Sequence, residues 1–300
     1  MATRKDEDSA GPSAGPEDAT RPSIARVYDY LLGGTDNSDA DRGEAERMIQ
    51  RFPSMPALVR ENRLFLSRAV GWLARQGIHQ FLDIGSGLPT ARNTHQIAQE
   101  AVPACRVVYA DNDPAVVARA QALLAGTGVA AVEADLRDPA VVLAAAARTG
   151  LFRAGEPVAV ILALILHFFD FGTAHKIAAE LTEYIVPGSY VVMSVSSGDE
   201  QTSGTPNREY KAGTLYNHSP KQIAEFFGGL ELVGPGLVDV REWEPAPGST
   251  ASPADRDGRG IDGGAIDGGG IDGGGILAGV GRKPLAGHPG PLTAPTTWLR

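Results

Sequence analysis

Cysteine is all but absent. Cys105 is the only one in 300 residues, which excludes an intramolecular disulfide and any metal centre built from clustered thiolates. Placed at the start of a strand-like run, it reads as a small, part-buried thiol and not as a nucleophile. Basic residues are in deficit: Lys and Arg number 27 against 36 Asp and Glu, a formal net charge of −9. Proteins that grip nucleic-acid backbones carry a clustered positive face that displaces phosphate counterions, so no nucleic-acid partner is expected. Long apolar runs are missing as well. The longest, Val158–Leu166, falls short of the roughly 20 residues that cross a bilayer, and the charged first residues contain no hydrophobic signal segment. The expectation is a cytoplasmic protein with no membrane partner.

What is present is a change of texture along the chain. Residues 1–22 mix charges with Pro, Gly, Ser and Ala without any apolar period, so a disordered tail is expected. From Ser23, a candidate N-cap, Ile24, Val27, Tyr28 and Leu31 recur at helical spacing until Gly33-Gly34 stops them. A second helix is expected over Asp39–Arg51, and a third from Pro56 to Gln76, ended by Gly77. Together these form an expected helical cap, residues 23–77. Strand-like runs follow at Gln80–Ile84, Arg106–Ala110, Val129–Ala134, Pro157–Leu166 and Ser189–Ser196, alternating with helix-length segments such as Pro114–Ala125, Pro139–Arg148 and Thr173–Tyr184. Such alternation implies parallel strands joined by right-handed crossovers.

A helix near Ser219–Phe227 and two closing strands, Gly236–Trp243 and Ile276–Gly281, complete the pattern. No helix-length period separates those strands, so they are expected to pair antiparallel. The fold class is therefore α/β, a Rossmann-like, mostly parallel sheet over residues 78–283 with an antiparallel closing strand. Residues 245–275 interrupt it with the near-repeats Ile261-Asp-Gly-Gly, Ile266-Asp-Gly-Gly-Gly and Ile271-Asp-Gly-Gly-Gly. Their period of five is not the nonapeptide of a calcium-binding β-roll, and a low-complexity loop insertion is expected. Residues 284–300 read as a second tail.

The chemistry-bearing signal is Phe81-Leu82-Asp83-Ile84-Gly85-Ser86-Gly87-Leu88, a hydrophobic strand running into a glycine turn that is expected to open a helix. Glycines there let the backbone turn tightly and a cofactor approach without a Cβ in the way. Leu88 stands where the dinucleotide fingerprint has its third glycine, and Asp111 follows Gly85 by more than the roughly 20 residues that fingerprint expects, which weakens a nicotinamide reading. Asp111 ends the second strand, where a carboxylate can accept both ribose hydroxyls; Asp113 is better placed as a helix cap. Asp135 ends the third strand and can accept the exocyclic amine of an adenine. Three acids at successive strand ends point to a nucleoside cofactor.

The succession Asp83-Ile-Gly-Ser-Gly, Asp111-Asn112-Asp113-Pro114, Ala134-Asp135-Leu136, Leu166-His167-Phe168 and Val186-Pro187-Gly188 resembles the motifs of class I S-adenosylmethionine-dependent methyltransferases. More narrowly, Ala25-Arg-Val-Tyr-Asp-Tyr-Leu-Leu-Gly-Gly, Arg60-Glu-Asn-Arg-Leu-Phe-Leu and Phe226-Phe-Gly-Gly-Leu-Glu-Leu-Val resemble a bacterial S-adenosyl methyltransferase family, from about Ser23 to Trp243 and again at Leu277–Pro284. The resemblance implies that Gly85, Gly87 and their neighbours Asp83 and Ser86 cradle the methionine part of S-adenosylmethionine. It further implies that Asp111 holds the ribose, and that Asn112 flanks the adenine with Asp135 and Leu136. Gly87-Leu-Pro-Thr-Ala-Arg is also similar to leucine-carboxyl methyltransferases, in which an arginine on the helix before the first strand pairs with the methionine carboxylate; Arg63 is the candidate, Arg60 the alternate.

His167 follows the fourth strand at its carboxyl end. It reads as a wall of the pocket, a general base for the acceptor, or a structural histidine. The other five histidines show no paired ligand spacing, and no metal is expected. Tyr28 and Tyr30, before the Gly33-Gly34 stop, are candidates for a substrate-facing lid, with a simple packed cap as the alternative. The expected activity is methyl transfer to a small-molecule acceptor; the rivals are a non-catalytic S-adenosylmethionine-binding module and a nicotinamide-dependent oxidoreductase.

Overall fold

The computed structural model describes residues 20–89, 92–123, 126, 128–198, 206–207, 210–245 and 275–285. The expected N-terminal tail, the 245–275 insertion and the C-terminal tail thus fall almost wholly outside the described residues. Three helices, α1 (Ile24–Leu31), α2 (Asp39–Arg51) and α3 (Met55–Arg75), precede β1 (Gln80–Ile84). The chain continues through α4 (Thr94–Ala101), β2 (Arg106–Asp111), α5 (Pro114–Leu123), β3 (Val129–Glu133), α6 (Pro139–Arg148), β4 (Ala159–Ala163), α7 (Phe171–Tyr184) and β5 (Tyr190–Ser197). A short pair, β6 (Pro206–Asn207) and β7 (Leu215–Tyr216), and α8 (Pro220–Glu225) lead to β8 (Glu231–Leu232), β9 (Val238–Asp239) and β10 (Gly275–Arg282). Local signals set the ends. Ser38 and Asp41 form a reciprocal capping box at α2, and Gly77 takes φ +89 beyond α3, a conformation only glycine adopts freely.

The main sheet runs β3-β2-β1-β4-β5-β10-β8, with β9 also on β10. The first five strands are parallel, and β10 is antiparallel to β5, β8 and β9. Period-two alternation sorts the side chains. Leu82, Ile84, Val108, Val160 and Leu162 pack on Val142 and Leu143 of α6 and on Ala174 and Ile177 of α7. Phe81, Val107, Ile161 and Val192 pack on the opposite face against Phe65, Val70 and Leu73 of α3 and Ile97 of α4. The third helix is therefore a layer of the core. The first two build a separate cluster from Val27, Leu31 and Ala45 with Val59 and Tyr210. Among the described residues no helix is long and apolar enough to cross a membrane.

Three elements differ from the sequence expectation. The fourth strand stops at Ala163 and not at Leu166, because Leu164 adopts φ +51 and the chain enters a 3-10 turn over Leu166–Phe168. Of Gly236–Trp243, only Val238–Asp239 pairs as strand. Beyond it Val240 N–H still donates to the Ile276 carbonyl at 2.8 Å, and the Arg68 guanidinium of α3 takes the carbonyls of Val240 at 2.9 Å and Trp243 at 2.8 Å. The glycine turn after β1 does not open a helix directly, since α4 begins only at Thr94.

Candidate functional site

Parallel pairing of β1 with β2 sets Asp83 beside Tyr109 and Ile84 beside Ala110, so the two strands end together and their following loops meet over one cleft. Open α/β sheets bind ligands at such carboxyl edges. Gly85 and Gly87 take φ +66 and +63, the left-handed region that disfavours a side chain. Gly85 N–H donates to the Ala110 carbonyl at 2.8 Å, and Gly87 N–H donates to Asp111 Oδ2 at 2.9 Å. The other oxygen of Asp111 accepts from Asp113 N–H at 3.0 Å. The Asp111 carboxylate therefore staples the glycine turn to the end of β2, and burial pushes its pKa up. Asp113 caps α5, accepting from Ala115 N–H at 2.9 Å.

Arg63, Asp83, Ser86 and Gly87 line one pocket, joined by Asn93, Thr94 and Tyr109. Asp83 is 6% exposed, and Thr94 Oγ1 donates to its Oδ2 at 2.6 Å. Burial pushes Asp83 up to about 6, against the Thr94 bond and the Arg63 charge, which pull it down. The Arg63 guanidinium donates to the Arg92 carbonyl at 3.0 Å and also lowers the pKa of Tyr28 against the upward push of burial. A cation and a buried carboxylate lining one pocket beside a glycine turn are complementary to the carboxylate and ammonium of an amino acid. That polarity, with open space at Gly87 where a side chain would stand, fits the methionine end of S-adenosylmethionine. Among the described residues no group of three His, Cys, Asp or Glu could hold a metal ion.

The remaining sequence candidates spread around this centre. Asp135 forms a two-point bond to Arg137 that holds its pKa down, with a further bond from Asn112, and Leu136 is buried beside it. Tyr28 accepts from Asn62 Nδ2 at 3.1 Å, which places it next to Arg63. Tyr30 donates to Glu46 at 3.3 Å and is not among the residues that line the pocket, and Arg60 is exposed. His167 sits in the 3-10 turn after β4, 9% exposed and outside the lining of the pocket. Burial and the neighbouring His218 hold its pKa to about 3, so the ring carries no proton at neutral pH and is a weak base. Gly33-Gly34 is no loose hinge: a Cβ on Gly34 would collide with the buried Asp29 carboxylate, which also accepts from Asn37 at 2.9 Å.

Thr94, Tyr109 and Asn62 were not singled out from the sequence. The strand register alone could have found Tyr109, since it alternates onto the same face as Asp83. Nor was the clasp between Asp36 and Arg119, a bidentate pair at 2.8–3.0 Å that joins the α1–α2 loop to α5 beside the cleft. A second, wider cleft at the opposite end of the sheet is lined by His79, Arg106, Arg153 and Glu156. Glu156 pairs with both arginines there, far from the glycine turn.

A family model described as S-adenosyl methyltransferase matches residues 13–266. Among solved structures, a DUF574 family protein from Streptomyces avermitilis is similar at 37% identity and a TM-score of 0.72, over 89% of this chain and 99% of that one. A protein from Thermobifida fusca YX is similar at 33% identity and a TM-score of 0.71, over 89% and 97%. No curated protein matches the sequence.

Proposed function

The chain belongs to the S-adenosyl methyltransferase family, and we propose that it methylates a small-molecule acceptor held beneath α1 and α2 at the carboxyl edge of the sheet. S-adenosylmethionine, the cofactor of the family, supplies a methyl carbon already activated by positive sulfur. The residues of this chain are left with binding, alignment and exclusion of water. The observation that carries the reading is that Arg63 and buried Asp83 line one pocket with Ser86 and Gly87 of the glycine turn, close enough for the Arg63 charge to pull the Asp83 pKa down. Arg63 would take the amino-acid carboxylate and Asp83 the ammonium, with Ser86 and the two glycines along the chain between them. Asp111 would receive the ribose hydroxyls, and Asn112, Asp135 and Leu136 the adenine. Tyr28 and Tyr30 would border the acceptor from the cap, and His167 would form part of the wall below it, without moving a proton.

Titration calorimetry tests the cofactor assignment: S-adenosylmethionine and its demethylated product should bind at micromolar affinity or tighter, and oxidised nicotinamide dinucleotide should not. Tighter binding of the dinucleotide would overturn it. Incubation with a labelled methyl donor and a metabolite extract tests the acceptor. Label arriving only on macromolecules would refute a small-molecule acceptor.

A further inference from the structure

We propose that Ile165 sets the size of the alkyl group that can be carried on the cofactor sulfur, which makes it a specificity-determining residue for the donor; this rests on the cofactor lying along the Gly85–Gly87 turn as described above. The strand order places β4 against β1 on the side away from β2. At the end of β4, Leu164 takes the left-handed φ of +51, unusual for a leucine, while its N–H stays bonded to the Ser194 carbonyl at 2.9 Å. This bend throws Ile165 over the glycine turn. A Cβ built on Gly85 would stand 2.7 Å from Ile165 Cδ1 and 2.8 Å from Cγ1, so Ile165 fills the space that a side chain on Gly85 would claim. Unlike the fully buried Leu166 beside it, Ile165 keeps part of its surface exposed.

A sulfonium bears three carbon substituents. The adenosyl arm would lead toward Asp111 on β2, and the amino-acid arm toward Arg63 on α3 and Asp83. The remaining substituent would point to the β4 side, where the Ile165 side chain packs against Gly85. Its β-branch stiffens χ1, which makes it a fixed wall. An ethyl group in place of methyl would meet that wall, and one methylene in a close-fitting apolar pocket changes affinity by about tenfold or more.

The test compares binding of S-adenosylmethionine, its S-ethyl analogue and S-adenosylhomocysteine to the full chain and to Ile165→Val and Ile165→Ala, by calorimetry and ligand-induced melting shift. The original chain should prefer methyl over ethyl by about tenfold or more, with the ratio falling stepwise in the valine and alanine variants and S-adenosylhomocysteine affinity changing little. If alanine does not fold, the valine variant decides, because the loss of one methyl should already reduce the ratio. An unchanged ratio in a folded variant, or equal binding of methyl and ethyl donors by the original chain, would overturn the role of Ile165 and leave the cofactor assignment standing. Failure of all three compounds to bind the original chain would remove both.

Discussion

Replacing Asp83 with asparagine should make the cofactor-free protein more stable and the cofactor weaker-bound. The carboxyl is 6% exposed and held at about 6 in place of its ordinary 3.8, chiefly by burial. Its folded pKa lies above the unfolded one, so the native state binds more protons between those values. Its contribution to stability is full below about pH 3.8 and is lost as the pH rises through about 6. Once the group is ionised the loss is roughly 3 kcal/mol, at 1.36 kcal/mol per pKa unit. Asparagine keeps an oxygen for the Thr94 hydroxyl and carries no charge. Asp83→Asn should therefore melt up to roughly 6–12 °C higher at pH 7.5, with the gap closing toward pH 4. The bound ammonium would stabilise the ionised form, so binding near pH 6 should release a fraction of a proton in the original chain and none in the variant. Affinity in the variant should drop by about tenfold, one charge-assisted hydrogen bond. Denaturant melts across pH 4–8 and calorimetry in two buffers of different ionisation enthalpy measure both effects. Equal stability of the two proteins at pH 7.5 would refute the cost of burying the charge, and an unaltered affinity would remove Asp83 from the site.

Asp111→Ala should destabilise the empty protein by about 1–3 kcal/mol, because the Gly87 and Asp113 N–H groups lose their acceptor. It should also cut S-adenosylmethionine affinity at least about tenfold. Thermal melting without ligand and calorimetry separate the two effects, and Asp111→Asn should lose less stability. Arg63→Ala should weaken S-adenosylmethionine more than its decarboxylated form, which has no carboxylate to pair; equal losses would reassign the residue. Asp36→Ala should speed both cofactor association and release in stopped-flow traces while changing Kd little, since the exposed clasp with Arg119 adds little stability of its own. High salt should shrink the difference.

The helices and parallel strands were legible because apolar periods and punctuating residues agree, as at Ser38, Pro114 and Gly77. Asp83, Gly85 and Gly87 stood out for the same reason, a strand running into glycines. What escaped depended on partners distant in sequence. That Asp111 holds Gly87 N–H rests on a contact 24 residues away. The carbonyls just beyond β9 are taken by Arg68, more than 170 residues earlier. No propensity marks Leu164 for a left-handed bend, and that bend ends β4 early and turns Ile165 toward Gly85. The burial that lowers the His167 pKa comes from packing that its place after β4 does not announce.

The antiparallel strand β10 pairs with β5 along its whole length and carries β8 and β9 on its other edge. During synthesis, every strand from β1 to β9 leaves the ribosome before the one that joins two of its groups. Until residue 282 has been made, β5 has a bare row of hydrogen-bonding groups along a strand of Val191, Val192 and Val195, and such an edge recruits other chains. At 5–20 residues per second, the stretch from Ser197 to Arg282 keeps that edge open for roughly 4–17 seconds. A growing chain is thus most exposed to aggregation late in translation, when the cofactor-binding half is already complete. Ribosomes stalled within residues 246–274 should yield nascent chains that already bind S-adenosylmethionine but associate with chaperones, whereas the released full chain should bind it without chaperone association.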